Sequence, residues 1–172
     1  MIKFIIFFLV GSFSYGQLII DSYKFDVPVT NIYPLGNAAS SDDVASSSGW
    51  SNESDTTVSW VATDTPAGGG SNVIEVTSLE GSNDRSIFTF TATIGTVYSY
   101  SIWGRELSGG QASIKSWLGV VTSPTYFYST TWEEATGTIE ATSTTVTMRF
   151  YASTNAGAGL KGQFDLITIT EL

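Results

Sequence analysis

The sequence predicts an all-β protein built as a β-sandwich of two antiparallel sheets. From residue 49 onward, short runs of alternating apolar and polar residues are separated by turns rich in glycine, serine and asparagine. Alternation with a period of two is typical of strands that bury one face. No segment keeps a helical period, and eight or nine short strands at regular spacing are typical of a sandwich.

Composition limits the chemistry that this chain could perform. The 172 residues include no His and no Cys, and the formal net charge is −9. A Ser-His-Asp triad, a Cys nucleophile, an imidazole or thiolate zinc site and a disulfide are therefore excluded. The excess of acid argues against nucleic-acid binding, which needs a positive surface. This length predicts one domain.

The first 16 residues have the pattern of a secretory signal peptide. Lys3 gives a short positive region, an apolar run follows over residues 4–10, and small residues precede Gln17. The run is too short to span a bilayer, which takes roughly 20 residues. We therefore expect a secreted, extracellular or cell-surface protein with no membrane insertion after the signal is removed. The alternative is an uncleaved hydrophobic tail that packs on a partner.

Residues 17–48 are predicted to form an N-terminal strand and a polar loop region. Residues 18–25 are apolar enough for a strand, Pro28 and Pro34 break any regular element, and residues 37–48 are small and polar. The sandwich domain itself is predicted over residues 49–172.

Within that domain each strand is predicted from its own alternating run. Turns or loops are predicted at residues 66–71, 80–84 and 107–111 and in the segment with Tyr126 and Tyr128. The predicted strands are residues 57–62, 72–79, 86–94, 97–105, 113–121, 132–141, 144–152 and 163–170. Three of these strands have clear core faces. The residues predicted to point inward from them are Tyr98, Tyr100, Ile102, Ile114, Leu118, Val120, Val146, Met148 and Phe150.

Three motifs in this order resemble a known family. They are a Gly95–Tyr98–Trp103 strand, a Thr130-Thr131-Trp132 run that ends at Gly137, and a terminal strand that carries Asp165. Over residues 37–172 the pattern resembles the carbohydrate-binding modules with a galactose-binding-like jelly-roll fold. The resemblance implies a jelly-roll sandwich and a glycan or polysaccharide as ligand.

On the face opposite the core, three strands each place an aromatic residue two positions from a cation. The pairs are Trp103 with Arg105, Trp117 with Lys115, and Tyr151 with Arg149. A pyranose stacks its C–H face on an aromatic ring, and cations donate hydrogen bonds to its oxygens. These six residues are predicted to form a sugar platform. Alternatively, the aromatics fill a second small core or line the rim, or the strands lie in different sheets and the pairs never meet.

Asp165 is the candidate metal ligand. The resemblance implies a structural calcium ion at the terminal strand, with further oxygens from Asp42, Asp43 or the N-terminal loop. The alternative is an Asp that lies in solvent or caps a backbone donor.

No carboxylate pair suggests catalysis. Glu133 and Glu134 are adjacent and point to opposite faces of a strand, so they cannot form the facing pair of a glycosidase. The sequence thus predicts a secreted, non-catalytic carbohydrate-binding sandwich that uses outer-face aromatics. The alternative is a structural or adhesive protein of a cell surface or virion appendage, in which the same sandwich binds neighbouring protein subunits.

Overall fold

The computed structural model describes residues 31–33, 49–80, 84–107, 112–117, 119–121, 125–153 and 157–172, with the backbone only for 113–117 and 119–121. The predicted signal peptide (1–16), the predicted strand at 18–25 and the polar loop at 37–48 lie outside these residues. Among the described residues, no helix has the length and apolar character that crossing a membrane requires.

The described chain forms eleven strands in two antiparallel sheets, which confirms the predicted fold class. In spatial order the five-stranded sheet consists of β1 (Trp50–Asn52), β4 (Arg85–Thr91), β10 (Thr145–Tyr151), β6 (Ala112–Trp117) and β8 (Thr125–Phe127). The six-stranded sheet consists of β2 (Thr56–Ala62), β3 (Asn72–Ser78), β11 (Lys161–Glu171), β5 (Val97–Glu106), β9 (Glu133–Ala141) and β7 (Gly119–Val121).

Strand β11 occupies the middle of the six-stranded sheet, although it is the last strand in the chain. Phe164 of β11 pairs with Ile74 of β3 on one side and with Gly104 of β5 on the other. On the C-terminal side of Phe164, residues 31–33 run beside β11, where the Ile32 amide donates to the Ile169 carbonyl at 2.7 Å. One strand thus joins segments from the beginning, middle and end of the described chain.

The core lies between the sheets and is built from the inward residues of alternating strands. Tyr98, Tyr100 and Ile102 on β5 are buried, and so are Val146, Met148 and Phe150 on β10, as predicted. The predicted inward residues at 114, 118 and 120 have no described side chains. Aromatic rings dominate the remaining core, which includes Tyr33, Trp50, Phe88, Phe90, Phe127 and Phe164.

Two glycines allow the sheets to approach closely. A Cβ on Gly104 of β5 would lie 2.6 Å from the ring of Phe127, which enters from β8 in the opposite sheet. A Cβ on Gly162 of β11 would lie 2.9 Å from the Ala112 Cβ. Both distances are shorter than a carbon–carbon contact allows, so these glycines let the opposing side chains reach the backbone.

The structure corrects two of the predicted elements. Residues 113–121 do not form one strand, because β6 pairs with β10 and β8 whereas β7 pairs with β9 in the other sheet. The segment predicted as a loop around Tyr126 contains the strand β8. An alternating pattern gives the two faces of a strand but not its partners, and β8 is too short to show alternation.

Candidate functional site

The six residues predicted to bind sugar do not share one face. Trp103 and Arg105 lie on β5 in the six-stranded sheet. The other four lie on the adjacent strands β6 and β10 of the five-stranded sheet, and they are Lys115, Trp117, Arg149 and Tyr151. Because the outer faces of a sandwich point in opposite directions, a single platform of all six residues is wrong. Glycan binding by either group remains a prediction.

On the five-stranded sheet the strand positions of the second group are adjacent. Arg149 pairs with Lys115, and Thr147 pairs with Trp117 in the same register. The side chains at 115 and 117 lie outside the described residues. Tyr151 has the predicted outward phase but is only 5% exposed, and the guanidinium of Arg85 lies over its ring at 5.7 Å.

Glu53 connects the two arginines of this face. Its carboxylate accepts hydrogen bonds from Arg85 Nε at 2.7 Å and from Arg149 Nε at 2.6 Å. The hydrogen bond from Arg149 is the main cause of the lowered pKa of Glu53, and the hydrogen bond to Glu53 raises the pKa of Arg85. These two arginines are therefore engaged with an acid of the same protein.

On the six-stranded sheet a row of polar side chains crosses the outer face. Backbone pairing aligns Ser59, Glu75, Gln163 and Arg105 on the neighbouring strands β2, β3, β11 and β5. Glu75, Gln163 and Arg105 are buried. Glu75 accepts from Lys161 Nζ at 2.7 Å and from Gln163 Nε2 at 2.8 Å, so its charge is matched and hydrogen-bonded.

Arg105 forms hydrogen bonds to other residues of the same protein. Its Nε and Nη2 donate to Gln163 Oε1 at 2.9 and 2.7 Å, while Nη1 and Nη2 donate to the two carboxylate oxygens of Asp64 at 2.6 and 2.9 Å. The Trp132 ring lies 4.5 Å from its guanidinium carbon. Arg105 is thus buried and donates within the protein, and its predicted hydrogen bond to a sugar stays a prediction.

Residues 63–71, here called the β2–β3 loop, lie over this row. Asp64 reaches Arg105 from one end of the loop, and a Cβ on Gly69 would lie 2.5 Å from Asp165 Oδ2. Val73 has the outward phase on β3 and is nevertheless fully buried. The loop therefore closes the outer face over β3 and β11.

In the part of the chain that the structure describes, the other half of the same face is open and lined by hydroxyl groups. We call the six side chains involved the hydroxyl strip, which consists of Ser99, Ser101, Thr136, Thr138, Thr168 and Thr170 on β5, β9 and β11. The hydroxyl oxygens of Ser99 and Thr170 are 2.6 Å apart, and the Ser101 hydroxyl donates to the Glu134 carboxylate at 2.6 Å. All six are partly or largely exposed.

Two tryptophans stand where the strip meets the covered half. Trp103 pairs with Glu134 on β9 and with Asp165 on β11, and its side chain is half-buried. Trp132 precedes β9, is also half-buried, and covers the guanidinium of Arg105. An indole beside a floor of hydroxyls offers both an apolar face and hydrogen-bonding groups to a ligand.

Asp165 is buried beneath the β2–β3 loop. Its Oδ1 accepts from the Leu166 amide at 2.8 Å, at a bulge where Leu166 has φ = 47°. Within the described part of the chain no group of three or more acidic side chains could hold a metal ion. Calcium takes six to eight oxygens, and one carboxylate that caps a backbone amide does not supply them. Asp42, Asp43 and the rest of the polar loop at 37–48, from which further ligands are predicted, lie outside the described residues, so the calcium ion at Asp165 stays a prediction.

The ion pair that holds the β2–β3 loop is expected to persist into acid. The hydrogen bond from Arg105 lowers the pKa of Asp64 to about 2 from its ordinary value of 3.8. A depressed folded pKa means that the stabilisation is complete above the ordinary value and is lost as the pH falls through about 2. Carbon NMR titration of the Asp64 carboxyl should show this midpoint, and a midpoint near 3.8 would mean that the pair does not form.

Sequence reasoning missed four participants in this face, namely Asp64, Glu75, Trp132 and Gln163. Trp132 was identified only as part of a family motif, although it continues the outward row of β9 beyond Glu134. Glu75 and Gln163 have the outward phase of their strands, which the alternation could have shown. Asp64 could not be found, because no local pattern tells over which strand a loop folds.

The fold is shared with solved carbohydrate-binding modules. The CBM22-1 xylan-binding domain of Xyn10C from Paenibacillus barcinonensis superposes with a TM-score of 0.57 at 14% identity, over 72% of this chain and 86% of that one. TmCBM61, in complex with beta-1,4-galactotriose, gives 0.50 at 14% identity over 83% and 99%.

A third similar structure contains the CBM22-1 and GH10 modules of the Clostridium thermocellum endo-1,4-beta-D-xylanase 10B, complexed with xylohexaose. Its TM-score is 0.54 at 19% identity, over 72% of this chain and 26% of that one. No family model matches the sequence, and no curated protein matches it. At these identities the similarity establishes the jelly-roll fold, which the motifs of β5 and β11 had indicated.

Proposed function

We propose that this chain is a secreted, non-catalytic domain that binds a glycan on the outer face of the six-stranded sheet. The glycan lies on the hydroxyl strip, and Trp103 stacks on one of its rings. The observation that carries the proposal is the half-buried Trp103 at the end of the hydroxyl strip. Solved proteins with a similar fold support it, since one is a xylan-binding domain and two others are complexed with xylohexaose and with beta-1,4-galactotriose.

The chemistry of the strip suits a neutral sugar. Serine and threonine hydroxyls both donate and accept, so they match sugar hydroxyls in either orientation. The indole of Trp103 supplies the apolar surface on which the C–H face of a pyranose packs. Glu134, which is exposed and already accepts from Ser101, has lone pairs left for a sugar hydroxyl.

A binding role rather than catalysis is supported by the state of two acids on this face. Glu75 is buried between Lys161 and Gln163, and Asp64 is held by Arg105. A glycosidase needs one carboxyl with a raised pKa opposite a second carboxylate, whereas the pKa of Asp64 is lowered. Secretion rests on the predicted signal peptide at residues 1–16.

The test compares Trp103→Ala with a matched aromatic control. Tyr128→Ala removes a ring that is 64% exposed and follows β8 of the other sheet. On a glycan array, Trp103→Ala is expected to weaken binding by roughly 1–3 kcal/mol, or about 5- to 150-fold, whereas Tyr128→Ala binds normally. The melting temperatures of both variants should stay close to that of the parent, because neither ring belongs to the core.

Sedimentation and glycan binding together separate this proposal from a structural role and from a site elsewhere on the protein. Sedimentation of the parent and of Trp103→Ala tests the structural or adhesive alternative, which requires that the substitution change the oligomeric state. Normal glycan binding by Trp103→Ala would place the site elsewhere. A loss of binding in Tyr128→Ala alone would move the site to the five-stranded sheet.

A further inference from the structure

The open half of the outer face ends abruptly on two sides. Towards β3, the β2–β3 loop lies against Asp165 at Gly69, and Val73 on the outer face of β3 is buried. Along β5, the face is closed two residues beyond Trp103, where Arg105 is buried between Asp64 and Trp132; these three residues are here called the Arg105 wall. A ligand on Trp103 can therefore continue along the hydroxyl strip and over β9, but not past the loop or past Arg105.

The closure is a built part of the protein. Four hydrogen bonds from Arg105 to Thr63 and Asp64 fasten the loop to the sheet, and two more join Arg105 to Gln163 of β11. Gly69 lies so close to Asp165 that a Cβ there would overlap the carboxylate, and Pro66 is buried. A loop that is pinned by a buried guanidinium and packed at its glycine does not swing away to admit a ligand.

From this geometry we infer that the site takes the terminal residue of a glycan chain and not an internal stretch of a polysaccharide. The inference rests on the proposed function. An internal residue of an extended chain has neighbours on opposite sides. Each open side of Trp103 lies opposite a closed one, since the strip faces Arg105 along β5 and β9 faces the loop-covered β11, so one neighbour would meet the loop or the Arg105 wall. A terminal residue is bonded on one side only, and its chain leaves over the open strip.

The wall also offers a polar group suited to a chain end. The side chain of Asp64 is 71% exposed although its carboxylate is bound to Arg105. A carboxylate has about four lone-pair sites, and those that Arg105 and Thr63 leave unused can accept the free hydroxyl that only a terminal sugar carries. Neutral acceptors would bind that hydroxyl more weakly than this charged one.

The first experiment counts chain ends at constant mass. The probes are xylan and a β-1,4-galactan, each intact and after partial hydrolysis to about one tenth of the mean chain length, with any other polysaccharide that binds on the array. For a glycan that binds, the number of bound protein molecules per gram is expected to rise about tenfold on hydrolysis. An unchanged number per gram would overturn the inference and leave the proposed function standing.

The second experiment opens the wall. Asp64→Ala removes the contact that fastens the loop to Arg105, and Asp55→Ala removes an exposed acid in the turn before β2 as the matched control. Asp64→Ala is expected to raise binding to the intact polymer several-fold relative to the hydrolysate, whereas Asp55→Ala keeps the parent ratio. The same ratio in both variants would contradict the wall. Absence of binding to every glycan on the array would instead overturn the proposed function and the inference with it.

Discussion

Replacing Phe164 with alanine is expected to lower the free energy of unfolding by about 3–5 kcal/mol. Phe164 is fully buried on the central strand β11, and its ring makes edge contacts with Phe150 at 5.0 Å and with Phe127 at 6.0 Å. Both partners belong to the opposite sheet. The truncation removes the ring that joins the sheets and leaves a cavity between them, which backbone at the centre of a sheet cannot relax to fill.

Chemical denaturation measured by tryptophan fluorescence would give this number. Glu171→Ala on the same strand is the control, because Glu171 is exposed and its removal should change stability by less than about 0.5 kcal/mol. A loss below about 1.5 kcal/mol for Phe164→Ala would mean that the sheets do not meet at this ring.

Arg105→Ala is expected to lower the free energy of unfolding by about 2–4 kcal/mol, although arginine is a charged residue that usually lies in solvent. The substitution leaves Gln163 Oε1 without the two donors of Arg105 in a buried row and frees the loop that Asp64 holds. The figure is lower than for a fully buried ion pair, since Asp64 is largely in water. Arg105→Lys should recover little, because an ammonium cannot contact Gln163 and both Asp64 oxygens in one plane.

The comparison variant is Arg85→Ala, which breaks an arginine–glutamate pair on the opposite face. The side chains of Arg85 and Glu53 are both about one-quarter exposed, so the free energy of unfolding should fall by about 1 kcal/mol or less. Equal effects of the two substitutions on thermal unfolding would argue that Arg105 is an ordinary surface arginine. A glycan array on Arg105→Ala, read at a temperature where the variant is folded, would show whether the wall also affects binding.

Much of the fold could be predicted because the relevant rule is local. Tyr98, Tyr100 and Ile102 alternate with serines and a tryptophan, and this pattern alone assigns the core face of β5. The division of residues 113–121 between two sheets could not be predicted, since alternation is the same whichever sheet a strand joins. For the same reason the cation–aromatic pairs were expected on one platform and lie on two opposite faces.

The outer face of the six-stranded sheet was predictable only in part. The outward phase of Trp103 follows from the sequence, and so does that of Arg105. The burial of Arg105 does not, because it depends on a loop that folds over β11 and is held by Asp64. Loop composition reports that a turn occurs near residues 66–71 but carries no information on which strands the turn will cover.

The central position of β11 has a consequence for how the protein is made. Chains are synthesised from the N-terminus, and segments that can pack early do so while synthesis continues. Here β3 and β5 have no common neighbour in the sheet until residues 161–171 have been added between them. We expect a nascent chain that stops before residue 160 to expose two unpaired strand edges and to depend on chaperones, whereas completion of one further strand releases a cooperative, protease-resistant domain.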